Sequence, residues 1–209
     1  MKLKKEQKLL FIGDSVTDCE RLKPDGEGLF QALGNGYVSF VDAFLQSSYP
    51  ALGIRVVNKG ISGDTVRDLK ARWQEDVMEQ KPEWLVIMIG INDVWRQFDS
   101  PFISDHHVYI EEYQKTLDEL VTQTKEIVGN IVLMTPYFIE PNSEDAMRAK
   151  MDAYGQVVSQ VAKKHETMFI DTQQAFNKIL ENLYPATIAW DRVHPQCNRT
   201  YRAGKSIFK

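Results

Sequence analysis

Five short apolar runs, at residues 9–12, 54–57, 84–89, 131–134 and 168–170, recur along the chain with longer amphipathic segments between them. Unbroken apolar runs suit strands covered on both faces, and segments with apolar residues at helical spacing supply the covers. The chain therefore reads as α/β, with the five strands in one parallel sheet. The helical segments are Val38-Val41-Phe44-Leu45, then Val66-Leu69-Trp73-Val77, then Tyr109 to Ile127, with residues 144–164 and 172–183 supplying two more. Thr65 can cap the second of these, and Asp68 three positions on favours the positive end of its dipole. Two irregular stretches remain, residues 16–36 and 183–195, long enough to suggest functional loops.

At 209 residues the chain suits one domain spanning its whole length. It carries 25 basic and 29 acidic residues for a net charge of −4, with no basic stripe, so nucleic acid is not an expected partner. The basic start Met1-Lys2-Leu3-Lys4-Lys5 is followed by only Leu9-Leu10-Phe11-Ile12 before Gly13 and Asp14, which reads as a strand rather than an export signal. The other long apolar run, 84–91, falls well short of the roughly 20 residues of a membrane span. A cytoplasmic protein with no membrane partner is expected. Two cysteines, Cys19 and Cys197, stand outside any metal or redox spacing and fit a reducing compartment. The histidines are His106, His107, His165 and His194, in no metal-ligand pattern; the His106-His107 pair reads as a polar loop before a helix, and no metal is expected.

In an open parallel sheet the ligand crevice lies beyond the carboxyl ends of the strands. Gly13-Asp14-Ser15 follows the first strand, Gly60-Ile61-Ser62-Gly63-Asp64 the second, Gly90-Ile91-Asn92-Asp93 the third and Thr135-Pro136-Tyr137 the fourth. Acyl transfer needs a nucleophile, a base, an acid to hold the base, and donors aimed at the oxyanion. Ser15 can present its hydroxyl at a helix N-terminus, where an ordinary cap would equally place a serine. Asn92 can point its amide into the crevice, and Gly63 can lend an unobstructed N–H; each is also an ordinary turn residue. Asp191 and His194, three apart, allow a carboxylate to hold the imidazole tautomer whose other nitrogen takes the serine proton. Only neutral imidazole can do so, hence kcat/KM is expected to fall on acidification.

Gly13-Asp14-Ser15, Gly63, Gly90-Ile91-Asn92-Asp93 and Asp191-Arg192-Val193-His194, in this order, closely resemble the four motif blocks of the SGNH/GDSL hydrolases over residues 9–195. The resemblance implies a flavodoxin-like three-layer α/β/α fold and a serine esterase. Its triad would be Ser15, His194 and Asp191, and its oxyanion hole the N–H groups of Ser15 and Gly63 with the Asn92 side chain. Longer stretches, Val56 through Gly63, Met88 through Gln97 and Ala189 through Pro195, are similar to the intracellular acetylxylan esterases of bacilli. That narrower resemblance implies removal of acetyl groups from imported xylo-oligosaccharides through an acetyl-serine, without metal or organic cofactor, by a homo-oligomer. Asp14 beside the nucleophile, with Trp95, Tyr184 and Trp190, is then expected at the substrate; the three aromatic residues offer flat faces for sugar rings.

The same machinery would serve another acyl ester, as in a lysophospholipase or thioesterase. A flavodoxin-like module that binds a sugar without catalysis is the other alternative; no Walker pattern and no G-x-G-x-x-G after a strand favours phosphate. The resemblance stops at Pro195. Related enzymes continue with an amphipathic helix, whereas residues 196–209, Gln-Cys-Asn-Arg-Thr-Tyr-Arg-Ala-Gly-Lys-Ser-Ile-Phe-Lys, lack a helical apolar stripe. Permitted codons read one base later give Asn-Val-Thr-Gly-His-Ile-Val-Leu-Ala-Lys-Ala-Phe-Leu, which points to a frame shift after Pro195. Sequencing the template decides it.

Overall fold

The computed structural model describes residues 2–195; Cys197 and the rest of the 196–209 tail lie outside the described residues. Five parallel strands form one sheet: β1 (Lys8–Gly13), β2 (Arg55–Asn58), β3 (Trp84–Met88), β4 (Asn130–Met134) and β5 (Met168–Ile170), in the order β2-β1-β3-β4-β5. Each expected strand is present within a residue or so of its expected bounds. The strands are in close register. Leu10 pairs with Leu85 and Leu85 with Ile131, while Gly13, Met88, Met134 and Ile170 make one row at the carboxyl edge. Every residue of β3 and all of β1 past Lys8 are buried, which requires covering layers on both faces.

The helices are α1 (Ser15–Asp18), α2 (Tyr37–Ser48), α3 (Val66–Ala71), α4 (Ile91–Asp99), α5 (Ile110–Lys125), α6 (Ala146–His165), α7 (Thr172–Leu180) and α8 (Pro185–Ile188). Local sequence explains their bounds. Asp145 caps α6 by accepting from the Met147 and Arg148 amides, and Met147, Met151, Tyr154, Val158 and Val161 recur on its buried face. Lys163, Lys164 and His165 fill the last turn, where positive charge suits the carbonyl end. At α3 the Asp68 carboxylate accepts from both the Thr65 N–H and its hydroxyl, at 2.9 and 2.7 Å. The expected single helix over 66–77 is broken: α3 stops at Ala71 and the chain widens into a π-helical turn, Gln74–Met78.

The stretch 16–36 is tied down rather than loose. The Asn58 amide donates to the carbonyls of Thr17 and Leu33 at 2.6 and 2.9 Å, and the buried Arg21 donates to the Gly60 carbonyl at 2.7 Å. The order 2-1-3-4-5 puts the topological switch between β1 and β3, so the crevice opens where Ser15 follows β1 and Asn92 follows β3.

Candidate active site

Ser15 is the first residue of α1, directly beyond β1. Asp14 caps this one-turn helix by accepting from the Val16 N–H at 3.0 Å, and Cys19 closes it in a left-handed conformation. From the opposite end of the chain, 179 positions on, the His194 Nε2 lies 2.7 Å from the Ser15 Oγ. The His194 Nδ1 lies 2.6 Å from Asp191 Oδ2. The other Asp191 oxygen accepts from the Val193 and His194 amides at 2.9 and 2.8 Å, closing the tight turn that makes a three-residue spacing work. Burial alone would raise the Asp191 carboxyl; the backbone and side-chain hydrogen bonds from His194 outweigh it and hold it below the usual carboxylate range. An ionised Asp191 can only accept, so Nδ1 carries the proton and Nε2 is left to accept from the serine hydroxyl.

The loop that carries this pair rests on the segment after β4. Tyr137 donates its hydroxyl to the Val193 carbonyl at 2.9 Å, and the Ile139 amide donates to the Arg192 carbonyl at 2.9 Å. Arg192, left-handed at φ 61°, pairs with Glu140 at 2.7 Å and lies over the Phe138 ring at 4.9 Å.

The loop after β2 folds against α1. The Ile61 amide donates to the Gly13 carbonyl at 3.0 Å, and Ser62 donates from its amide and hydroxyl to Asp18 at 3.0 and 2.9 Å. Gly60 permits that approach, because a Cβ there would lie 2.2 Å from the Asp18 amide nitrogen. Gly63 sits at φ 92° in the turn that follows, with nothing within 4 Å of where its Cβ would be. Asn92 donates its amide to the Asp64 carbonyl at 2.9 Å, while its oxygen accepts from Arg96 at 3.1 Å. That pair of contacts fixes which way the amide faces. Among the described residues the Ser15 and Gly63 N–H groups donate to no protein acceptor.

The expected substrate-binding residues divide. Asp14, expected at the substrate, is fully buried beside Ser15, with its carboxyl accepting from the Val16 amide at 3.0 Å. Asp93 is equally buried and accepts from the Val66 amide at 3.0 Å. Burial pushes both carboxyls up to about 7, and each keeps a buried Oδ2 without a hydrogen-bond partner among the described residues. Trp95, half-buried, sets its ring 5.9 Å from the His194 ring. Tyr184 and Trp190 flank α8 at the surface, 73% and 87% exposed.

Sequence reasoning missed α4 and with it Arg96, although Ile91, Val94, Trp95 and Phe98 carry a helical spacing that would have shown it. It also missed Asp18 and Arg72, whose contacts join segments far apart in the chain. Among the described residues, no cluster of histidine, cysteine or acidic side chains could hold a metal ion, and no helix is long and apolar enough to cross a membrane.

The model of the GDSL-like lipase/acylhydrolase family matches residues 11–196. The chain is 63% identical over 195 residues to an acetylxylan esterase of Geobacillus stearothermophilus, covering 93% of this chain and 89% of that one. The crystal structure of Axe2, an acetylxylan esterase from Geobacillus stearothermophilus, superposes with a TM-score of 0.96 at 59% identity, over 99% of this chain and 94% of the other. Further Axe2 structures are of catalytic mutants, S15A, H194A and D191A. LAE5, an alpha/beta hydrolase from the metagenome of Lake Arreo, matches with a TM-score of 0.94 at 50% identity, over 99% and 98% of the two chains. With the match running through nearly the whole chain, it belongs to the GDSL-like lipase/acylhydrolase family and is a serine esterase.

Proposed function

We propose that this esterase removes acetyl groups from the xylose units of xylo-oligosaccharides, with Ser15 as nucleophile, His194 as base and Asp191 as its orienting acid. The observation that carries the reading is the unbroken hydrogen-bond chain from the Ser15 hydroxyl through the imidazole to the carboxylate, at 2.7 and 2.6 Å. The serine oxygen attacks the acetyl carbonyl while its proton passes to Nε2. The N–H groups of Ser15 and Gly63 and the Asn92 amide receive the oxyanion. Collapse breaks the bond to the sugar oxygen, which takes the proton from His194 and leaves an acetyl-serine. Water, deprotonated by His194, then releases acetate and restores the hydroxyl.

The acetylated sugar is supported by the high identity to an acetylxylan esterase and by the Trp95 ring standing beside His194, where it can wall a small acyl pocket. The same reading has the enzyme working in the cytoplasm, which its two-cysteine content suits, and as a homo-oligomer, for which the exposed Trp190 offers apolar surface. The test is hydrolysis of acetylated xylobiose and of a long-chain acyl ester by wild type and Ser15→Ala. The acetyl ester should be preferred, and the variant should lose on the order of 10³-fold or more in kcat. A preference for the long chain rejects the sugar deacetylase, and an undiminished Ser15→Ala rejects the triad.

A further inference from the structure

The three donors proposed for the oxyanion lie on three separate segments, the start of α1 after β1, the loop after β2 and the start of α4 after β3, so no single stretch of backbone sets the distances between them. One side chain touches what fixes all three. Arg72, half-buried between α3 and the π-helical turn, donates from Nη2 to the Gly13 carbonyl at 3.1 Å and from Nε to Asp64 Oδ2 at 2.7 Å. Its Nη1 donates to the Lys59 carbonyl at 2.8 Å and to Asp76 at 2.7 Å. Gly13 leads through Asp14 into Ser15. Asp64 follows Gly63 directly, and the Asp64 carbonyl holds the Asn92 amide at 2.9 Å. Asp76 in turn holds the buried Lys59 at 3.0 Å, so the charge of the guanidinium is met and its fork is anchored.

We propose that Arg72 is a positioning residue of the oxyanion hole: its guanidinium clamps the Gly13, Lys59 and Asp64 groups together and so sets the spacing of the Ser15, Gly63 and Asn92 donors. The inference rests on the proposed use of those donors. A planar fork can address four acceptors in fixed directions, which an ammonium on a flexible stem cannot, so charge alone should not replace it. Donors aimed at a charge that exists only in the transition state act on kcat rather than on KM. A misplacement on the order of 1 Å can cost about 10²-fold in rate.

The experiment compares wild type, Ser15→Ala, Arg72→Lys and Asp64→Ala on 4-nitrophenyl acetate. It is paired with inhibition by an alkylboronic acid, which forms a tetrahedral adduct on a serine hydroxyl, and with thermal unfolding. Arg72→Lys should lose on the order of 10²-fold in kcat with KM held within about threefold. Its boronic acid affinity should weaken in step with kcat, and the pH profile of kcat/KM should stay in place, since His194 is untouched. A purely structural arginine would lower Tm while each folded molecule kept its kcat and its boronic acid affinity; a folded Arg72→Lys of that kind overturns the clamp. If Arg72→Lys does not fold, Asp64→Ala decides: removing one arm should cost roughly tenfold in kcat, and wild-type kcat there overturns the proposal. A wild type no faster than Ser15→Ala defeats the esterase mechanism itself, whereas an active wild type with an unaffected Arg72→Lys defeats only the clamp.

Discussion

The two halves of the site are built differently. The nucleophile corner, where β1 runs into α1 and the loop after β2 folds against it, has a buried base: the buried Asn58, Arg21 and Asp18, with the half-buried Arg72, tie it directly to the sheet. The Asp191–His194 loop lies at the surface, and its anchors all come from one short segment, Tyr137 to Glu140. A buried corner transmits a local change to every neighbour, because close-packed backbone has nowhere to move. An exposed loop absorbs such a change locally. Substitutions in the corner should therefore cost stability and rate together, and substitutions in the loop anchors should cost little of either.

Gly60 gives the largest expected effect. Its Cβ would meet the Asp18 amide at 2.2 Å and the Thr17 carbonyl carbon at 2.6 Å, and these are backbone atoms that no rotamer change can clear. Gly60→Ala should move the whole loop from α1, carrying Ser62 and Gly63 with it. Overpacking of this kind costs about 1–3 kcal/mol or more, so Tm should drop by about 5–10 °C. kcat/KM should fall roughly 10²-fold as the Gly63 donor leaves its place. A variant that keeps wild-type Tm would mean the corner is far softer than its contacts suggest.

Much of this architecture could be read from the chain. Strands covered on both faces print as unbroken apolar runs, and β1 to β5 fall where those runs are. Ser15, Gly63, Asn92 and the Asp191–His194 pair each follow a strand or lie in the last loop, where the crevice rule sends attention. What could not be read depends on direction or distance. The one turn of α1 is too short to show a period. Nothing in the letters says that Asp14 turns inward while Ser15 turns outward; the capping bond to Val16 decides it. Arg72 is one more arginine until the fold brings Gly13 and Asp64 to it.

The buried Asp14 and Asp93 sharpen the contrast through pH. Burial pushes both up to about 7, so in the folded state they keep protons that the unfolded chain releases at the ordinary carboxylate value near 4. Their contribution to stability is fully present at low pH and is lost as pH rises from about 4 through about 7. Asp93→Asn, a neutral shape-match whose oxygen can still accept from the Val66 amide, should flatten that loss. Its Tm relative to wild type should be higher at pH 8 than at pH 5, by about 3–5 °C. Thermal unfolding across this range checks it, and parallel Tm curves would show that burial of the pair exacts no charge penalty. Asp191, held ionised in the exposed loop, acts in the opposite sense, its contribution being lost on acidification.

The smallest effect belongs to Arg192, on the loop side. Its ion pair with Glu140 spans a side chain 43% exposed and one 15% exposed, so solvent screens much of the attraction and about 0.5–1 kcal/mol is a fair expectation. Arg192→Ala should lower kcat/KM by no more than about fivefold, because Tyr137 and the Ile139 amide still hold the loop. At about 1 M salt, where screening acts within about 3 Å, the gap to wild type should narrow. Arg192→Gly loses the same ion pair but relieves a left-handed backbone that costs a side chain about 1 kcal/mol. Glycine should therefore come closer than alanine to the wild-type Tm. If alanine and glycine instead abolish activity alike, the loop depends on the guanidinium as closely as the corner depends on Arg72, and the distinction between a rigid nucleophile and a locally held base falls away.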